Sequence, residues 1–417
     1  MKSKLFTLMT IVILSTFALS ACGGTNTPGT GGNTASPITV GELFPMTGRE
    51  PFVGQWFLHG AKVGIADINA NGGCGGHQIN AQLADTGGDP VDAVTALRQL
   101  QLSNPAFILG PSSLEIEGVI NQFDPQHLPD FVEGGTTQLD HMNNQYVYRT
   151  TPSDSTLAIG MAYYAIQKNL TKAALFFEST SNAAGVVSPL VKAYTGHGGT
   201  LTAQLLVTPH QSSYRTEVEK LFAGNPQAIF MQTDPQTAST FFSDVRQLGH
   251  MNVPFIATDA GADINLAKAM GLADASKWLT GMNGSPPAGP AWQYFKTQYQ
   301  KVWNSPNPVT LSQNTYDSVV IACLAITAAG TTDPTVWIND VTKVANPPGQ
   351  VVTSYAEGVA ALKAGKKINY DGASGKDDYN QFHNVAGGWD IVQFDATGAN
   401  LNTVASVSED QIAAWNV

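Results

Sequence analysis

The sequence predicts an α/β fold made of two successive doubly wound parallel sheets. From Ile38 onward, short apolar runs alternate with longer amphipathic segments, as strands alternate with helices when parallel strands need crossover connections. The alternation restarts after Thr151, which indicates a second unit of the same architecture. The roughly 380 residues after Pro37 are enough for two or three domains of about 150 residues each.

The first unit contains five predicted strands and three predicted helices. Its helices are GQWFLHGAKVGIADINANGG, DPVDAVTALRQLQL and a segment that begins at Glu115. Asp89 is the expected N-cap of the second helix, with Pro90 at its first position. The run NGGCGGH follows a helix and precedes a strand, so it predicts a turn and not a phosphate-binding loop. The predicted strands are ITVGEL, INAQLAD, FILG, DFVEGG and YVYRT.

The second unit repeats this order with four strands and four helices. Sequence similarity between the units is weak, so only the architecture repeats. The predicted strands are AALFFE, LTAQLLV, AIFMQT and PFIATD. The predicted helices are LAIGMAYYAIQKN, GVVSPLVKAYTGHGG, YRTEVEKLFAG and PQTASTFFSDVRQLG.

The N-terminus has the features of a secretory signal, predicted over residues 1–21. Lys2 and Lys4 precede an apolar run from Leu5 to Leu19, which is too short and too poorly flanked for a lasting membrane span. The run ends in LSAC, which resembles a bacterial lipobox whose Cys22 becomes lipidated. The alternative is an ordinary cleavage site beside an unrelated cysteine. We expect a lipoprotein anchored to a membrane outside the cytoplasm.

Residues 22–37 are rich in Gly, Thr, Asn, Ser and Pro, which predicts a flexible tether. The chain is 43% hydrophobic and 13% charged, with a formal net charge of −11, so it lacks the clustered cations that nucleic acid requires. Small molecules or proteins are the expected partners. Cys74 and Cys323 can form one disulfide in an oxidising compartment, although two separate buried thiols are the simpler interpretation.

The stretch FILGPSSLEIEG places Ser112 and Ser113 after a predicted buried strand, where ligands collect in open parallel sheets. A nucleophile is disfavoured, because the final glycine of a G-x-S-x-G elbow is missing and no suitable histidine follows. Ser112 and Glu115 match a capping box, which explains one serine. The other serine would lie beside a helix N-terminus that favours an anion such as a ligand carboxylate.

The end of the next strand offers a second candidate, where Gly135, Thr136 and Thr137 combine accessible backbone with hydroxyl groups. A glycine turn with local threonine hydrogen bonds is the alternative interpretation. Two hydroxyl-bearing strand ends in succession favour a binding site.

The residues then resemble a known family, the branched-chain amino-acid-binding proteins of ABC importers. The similarity extends over nearly all of the chain after the tether, and it depends on the order of many segments. They are the lipobox, ITVGELFPMTGREPFVGQ, GAKVGIADINANGG, DTGGDPVDAV, FILGPSS, EGGTTQLD, YVYRTTPSD, SSYRTEVEKL and YDSVVIACLAITAAG.

The resemblance implies a type I periplasmic binding protein: two α/β lobes joined by a three-stranded hinge that close on a ligand. Lobe 1 would comprise residues 38–151 plus 283–386, and lobe 2 residues 152–282 plus 387–417. It also implies a monomer that delivers its ligand to a permease and its ATPase. Neither enzymatic activity, a cofactor nor a metal is expected.

The resemblance also assigns the site. First-lobe hydroxyls, from Ser112 or Ser113 and from Thr136 or Thr137, would hold the α-carboxylate of an amino acid, and the Gly135 carbonyl would accept from its ammonium.

An acidic residue of the second lobe would complete the ammonium site. Asp259 is preferred, and Asp234 competes with it although it also fits a helix cap. Phe52 lies where the family presents ligand-contacting side chains, and a core aromatic is an equal alternative.

One departure affects the ligand. Where the family often has an aromatic residue followed by glycine, this chain reads Asn182-Ala183-Ala184-Gly185. An aliphatic or branched-chain amino acid is therefore the leading expectation, with other amino acids, amides, urea-like compounds and aromatic carboxylates open. A sensor lipoprotein of the same fold is the rival function.

Overall fold

Two β-sheets organise the chain in this computed structural model, which describes residues 35–286 and 288–415. The predicted signal peptide, Cys22 and most of the predicted tether lie outside the described residues. The first strand begins at Ala35 and pairs with the following strand at His77, so the last three residues assigned to the tether belong to a sheet. Their composition predicted a linker, because composition does not show which residues pair with a neighbouring strand.

The strands occur in two sheets and one short two-stranded ribbon. In chain order they are β1 (Ala35–Phe44), β2 (His77–Asp85), β3 (Phe107–Leu109), β4 (Asp130–Val132), β5 (Val147–Arg149), β6 (Lys172–Glu178), β7 (Thr200–Val207), β8 (Ala228–Gln232), β9 (Phe255–Ala257), β10 (Leu279–Gly284), β11 (Gln350–Val352), β12 (Ile368–Tyr370), β13 (Trp389–Phe394) and β14 (Leu401–Val407).

The helices cover both sheets. In chain order they are α1 (Pro51–Ala70), α2 (Pro90–Gln101), α3 (Ile116–Phe123), α4 (Asp154–Gln167), α5 (Ser181–Gly196), α6 (Arg215–Phe222), α7 (Pro235–Gln247), α8 (Ile264–Met270), α9 (Leu272–Trp278), α10 (Pro290–Trp303), α11 (Ser312–Ala329), α12 (Pro334–Trp337), α13 (Val341–Ala345), α14 (Tyr355–Lys363) and α15 (Glu409–Trp415).

The first sheet has the order β2-β1-β3-β4-β5 and is parallel throughout. The second has the order β14-β13-β10-β9-β8-β6-β7, and only β13 pairs antiparallel with its neighbours. In the described residues, the chain passes between the sheets after β5, after β10 and before β13. The predicted α/β fold with two parallel-sheet lobes is confirmed.

Both faces of the first sheet are buried, which explains its continuous apolar strands. On β3, Phe107 and Leu109 pack into one hydrophobic cluster, while Ile108 packs into a second cluster on the opposite face. The second sheet is likewise enclosed by two clusters. The predicted cap at Asp89 is confirmed, since its side chain accepts from the Val91 N–H at 2.8 Å.

Helix α1 packs closely on α11, a helix buried along most of its length. Gly60 makes this approach possible, because a Cβ there would collide with the Ser312 carbonyl oxygen. Among the described residues, no single helix combines the length and apolar character of a membrane span. Only a pair bent by 100°, Ser312–Ala329 with Pro334–Ala345, satisfies those criteria jointly.

Cys74 and Cys323 form a disulfide, which was one of the two alternatives that the sequence left open. Both cysteines are fully buried, and the bond joins the turn after α1 to the middle of α11. Spacing could not decide between bond and free thiols, because the two positions are 249 residues apart and meet only through the packing of α1 on α11.

Removing this disulfide should destabilise the first lobe. The bond closes a loop of 249 residues, and loss of a native disulfide typically costs about 2–5 kcal/mol. We expect a Cys74→Ala/Cys323→Ala variant to unfold at lower denaturant concentration by about that free energy, as measured by chemical denaturation. An unchanged midpoint would contradict a stabilising role, and reduced wild-type protein is the matched control.

Candidate ligand-binding cleft

A cavity of about 330 Å³ lies between the two sheets. Its lining comes from segments that follow the carboxyl ends of strands in both lobes, including Ser112 after β3, Gly135 after β4, Thr233 after β8 and Asp259 after β9. Parallel sheets present loops and helix N-termini at these ends, where ligands usually bind. The volume lies within the range of small-molecule sites.

Acidic side chains dominate the polar lining. Six carboxyl groups face the cavity, against one arginine, Arg49, and one histidine, His210. Acids from the first sheet's segments therefore face acids from the second sheet's segments. The six are Glu50, Glu133, Asp154, Glu178, Asp234 and Asp259.

Part of the remaining wall is apolar. Phe57, Leu157 and Trp389 line the cavity and are almost fully buried, and Phe52 lies partly buried beside them with its ring 5.2 Å from that of Trp56. An apolar surround lowers the local dielectric and strengthens every charge interaction inside it. The site can thus hold an apolar group and a polar group of one ligand.

Ser112 bridges two carboxylates of the first lobe. Its hydroxyl lies 3.3 Å from Glu50 Oε2 and also donates to Glu115, which accepts a second hydrogen bond from Thr86. Helix α3 begins only at Ile116, and its N-cap Glu115 makes no side-chain capping bond. The predicted capping box is therefore wrong, because Ser112 bonds to the acidic side chain and not to a free backbone N–H.

Burial raises the pKa of Glu50 well above its usual value, and the nearby carboxyls of Glu115, Asp259 and Glu178 raise it further. Glu115 is fully buried, and burial raises its pKa as well. Carboxyls from both lobes thus disfavour one another's ionised form.

Asp154 occupies the first turn of α4, next to the loop that follows β4. Its backbone N–H donates to the Gly135 carbonyl at 2.7 Å, and its side chain lies so close that a Cβ on Gly135 would collide with it. Burial and the nearby carboxyls of Asp259 and Asp140 raise the pKa of Asp154 to about 8, against the lowering effect of Arg149.

Arg149 is the buried cation behind this loop. Its guanidinium donates to the Gly135 carbonyl at 3.1 Å and the Thr136 carbonyl at 2.7 Å, and it forms a 2.8 Å ion pair with Asp140. The Gly135 carbonyl thus already accepts two hydrogen bonds. Both hydrogen bonds to this carbonyl oxygen therefore come from donors within the protein.

In the second lobe, Asp234 and Asp259 differ in what holds them. Asp234 caps α7 by accepting from Thr237 N–H at 2.7 Å and pairs with His210, while its own N–H donates to Glu178. Asp259 accepts from the neighbouring Ala260 N–H at 3.0 Å, and burial raises its pKa.

Several polar atoms of the cavity lining have no hydrogen-bond partner in the described residues. They include Asp154 Oδ2, Gln232 Oε1 and Thr233 Oγ1. Asp154 and Thr233 are 8% and 2% exposed, so water outside the cleft does not satisfy them. Buried polar atoms without partners are costly, which points to a ligand that supplies hydrogen bonds. In the described part of the chain, no group of three His, Cys, Asp or Glu side chains is arranged to hold a metal ion.

Residues 37–399 match the family model described as periplasmic binding protein. The chain belongs to this periplasmic binding protein family. Membership implies an extracytoplasmic location. One relative that matches most of the chain is BasB of Halobacterium salinarum, a substrate-binding protein of a chemotactic signal transduction system. The two sequences are 24% identical over 88% of this chain and 89% of BasB.

Other relatives of this periplasmic binding protein match over shorter stretches. The Leu/Ile/Val-binding protein BraC3 of Rhizobium johnstonii is 27% identical over 38% of this chain, and the match covers 47% of BraC3. The chain thus spans about half the length of that relative.

Solved structures support the fold of the periplasmic binding protein. The leucine-binding protein LivK of Thermotoga maritima superposes with a TM-score of 0.76 at 17% identity, covering 89% of this chain and 99% of its own. LivJ of Streptococcus pneumoniae, solved with isoleucine, gives 0.74 at 17% identity over 89% and 99% of the two chains.

The structure of the binding protein brings most of the predicted site residues to the cleft. Phe52, Ser112, Ser113, Gly135, Asp234 and Asp259 all line it. The two threonines are not among the lining residues. Thr136 accepts from the Gln138 N–H, and the Thr137 hydroxyl lies where a Cβ on Gly185 of α5 would collide with it. Thr136 therefore makes a local hydrogen bond, which was the alternative interpretation that the sequence left open.

Sequence reasoning missed most of the acidic lining of this binding protein. Glu178 ends β6, Glu133 directly follows β4, and Asp154 begins α4 just after the first crossing between sheets. Ser112 was predicted because ligands collect at the carboxyl ends of strands. The same rule, applied to every strand, would have predicted Glu178 and Glu133. Glu50 and His210 gave no comparable signal, because they lie in longer loops.

The raised pKa values predict that ligand-free protein loses stability as the pH rises. Burial raises the pKa of Glu133 and Asp154 to about 8 and of Glu42 to about 7, so the folded protein binds more protons than the unfolded chain above about pH 4. Stability should therefore fall between about pH 5 and pH 8, as these groups ionise.

The check is the melting temperature of wild type and of Asp154→Asn across this pH range. The amide variant should show a shallower decline, while Glu117→Gln, an exposed acid on α3, should follow wild type. A wild-type melting temperature that rises with pH over this window would contradict the assignment.

Proposed function

We propose that this protein is the solute-binding component of an ABC importer, and that it captures a small ammonium-bearing solute between its two lobes. The observation that carries the proposal is the enclosed cleft at the carboxyl ends of both sheets, whose acidic and unpartnered polar atoms need a ligand. Family membership supports solute binding as the role of this cleft.

Capture requires no chemistry. The lobes hinge about the three connecting segments, the ligand replaces water, and the closed form docks on a membrane permease that works with an ATPase. Polar contacts strengthen as water leaves, so occupancy favours closure. Lipidation at Cys22 would hold the monomeric protein at the membrane surface, and the LSAC motif supports this.

Aliphatic and branched-chain amino acids are the first ligand class to test. The names of BraC3 and the leucine-binding protein LivK favour them. Other solved relatives widen the choice, since one from Rhodopseudomonas palustris was solved with 3,4-dihydroxybenzoic acid. Amides and urea-like compounds also present the N–H donors that the acidic cleft lacks.

A sensor role is the second candidate. The printed role of BasB, a substrate-binding protein in chemotactic signal transduction, favours it, because BasB matches most of this chain. In that role the same closed form would dock on a signalling receptor and not on a permease. Co-purification of the ligand-bound protein with a permease or with a receptor separates the two.

A thermal-shift panel of amino acids, amines, amides and small carboxylates tests capture. A compound that binds only the folded state raises the melting temperature in proportion to its occupancy. We expect at least one amino acid or amine to do so, and Asp259→Ala to weaken its binding in calorimetry about tenfold or more. Ser113→Ala tests the first-lobe wall in the same assay.

Glu117→Gln is the control, since this exposed acid lies away from the cleft. Absence of any stabilising compound in the panel would contradict solute capture. Binding that is unaffected by both Asp259→Ala and Ser113→Ala would place the ligand elsewhere on the protein.

A further inference from the structure

The charge balance of the cleft restricts the ligand. Six carboxyl groups line the cavity, whereas the two basic side chains stand at its edge. Arg49 is exposed, and His210, whose side chain is 41% exposed, already contacts Asp234. A ligand entering the cavity therefore meets an excess of acidic groups. Each ionised acid without a positive partner is destabilised by loss of water.

The acids act across the gap between the lobes. The carboxyl of Asp259 in the second lobe disfavours ionisation of Glu50 in the first lobe, and within the second lobe it disfavours ionisation of Asp154. In the empty cleft these groups must hold protons or repel one another. A positively charged ligand would allow these groups to ionise and would reduce the repulsion between them.

The unpartnered atoms point to the same ligand chemistry. Asp154 Oδ2 is buried, lines the cavity and has no donor in the described residues, and Gln232 Oε1 also lacks one. When Asp154 is ionised, its oxygens can only accept hydrogen bonds. An ammonium or amidinium group supplies several N–H donors together with the compensating charge.

Two of the four groups expected to hold a ligand carboxylate line the cavity, Ser112 and Ser113, and the Ser113 hydroxyl hydrogen-bonds to the carboxyl of Asp154. The Ser112 hydroxyl is directed to Glu50 and Glu115, and neither Thr136 nor Thr137 is among the lining residues. Helix α3 begins at Ile116, and the carboxyl of Glu115 just before it accepts hydrogen bonds from Ser112 and Thr86. A ligand carboxylate would add another like charge to the cleft.

We propose that the solute is an organic cation, an amine or amidine without a free carboxylate. Its charged group lies between Glu50, Asp154 and Asp259, and its apolar body packs against Phe52, Leu157 and Trp389. The inference rests on the proposed function, because it narrows the ligand of the same cleft. The cation also controls closure, since it screens the acids that the two lobes bring together.

The test compares matched ligands that share one carbon skeleton. Leucine carries an ammonium and a carboxylate, isoamylamine is the same molecule without the carboxylate, and 4-methylpentanoate lacks the ammonium. Arginine and agmatine form a second pair that differs only in the carboxylate. We expect calorimetry to give tighter binding for isoamylamine than for leucine and for agmatine than for arginine, by about tenfold or more, and no binding of 4-methylpentanoate.

Isosteric variants link the preference to named residues. Asp154→Asn and Asp259→Asn remove one charge each while keeping the side-chain shape, and each should weaken amine binding about tenfold or more. Neither substitution should weaken leucine binding as strongly. Leucine has no net charge, so its attraction to the removed carboxylate is weaker than that of an amine. Glu117→Gln should leave the affinities for all five compounds unchanged, and circular dichroism verifies that each variant is folded.

The outcomes separate this inference from the proposed function. If leucine or arginine binds more tightly than its decarboxylated partner, the cation proposal is overturned and amino-acid capture stands. If 4-methylpentanoate binds, the carboxylate clamp predicted from sequence is correct and the cation proposal fails. If none of the five compounds binds while another solute of the thermal-shift panel does, capture stands with a different ligand class. If no solute binds, both proposals fail.

Discussion

The opposition of carboxyl groups across the cleft is the constraint on which the behaviour of this protein depends. Glu50 from the first lobe meets Asp154 and Asp259 from the second in a cavity with apolar walls. Water cannot screen these groups well, so each must be protonated, hydrogen-bonded or matched by a cation. Burial and the neighbouring carboxyls therefore favour the protonated forms of Glu50 and Asp154 when no cation is bound.

The fold produces this arrangement by placing the carboxyl ends of two parallel sheets opposite each other. Short loops after β3, β4, β8 and β9 all reach the same space, and three segments connect the two sheets. Arg149 keeps one wall in place by binding the carbonyls after β4. The capture proposed above requires such fixed walls together with a hinge between the lobes.

Much of the fold was predictable, because alternating apolar runs determine both strand order along the chain and burial on both sheet faces. The site was predictable only where polar residues directly follow a strand, as with Ser112 and Asp259. The hydrogen bonds that these two residues make were not predicted. Ser112 does bond to Glu115 at the spacing of the capping pattern, but the bond is made to the carboxyl group and not to a backbone N–H. Its contact with Glu50 joins residues 62 positions apart, which a local sequence pattern does not contain. The Cys74–Cys323 bond was hidden for the same reason.

Proton release on binding tests the central claim most directly. A cation that ionises the cleft carboxyls must displace the protons they carry, since burial holds the pKa of Asp154 at about 8. Calorimetry with isoamylamine or agmatine near neutral pH, in two buffers of different ionisation enthalpy, counts these protons. We predict net release that is reduced in Asp154→Asn. Net proton uptake on binding, or a binding enthalpy that is the same in both buffers, would contradict the account.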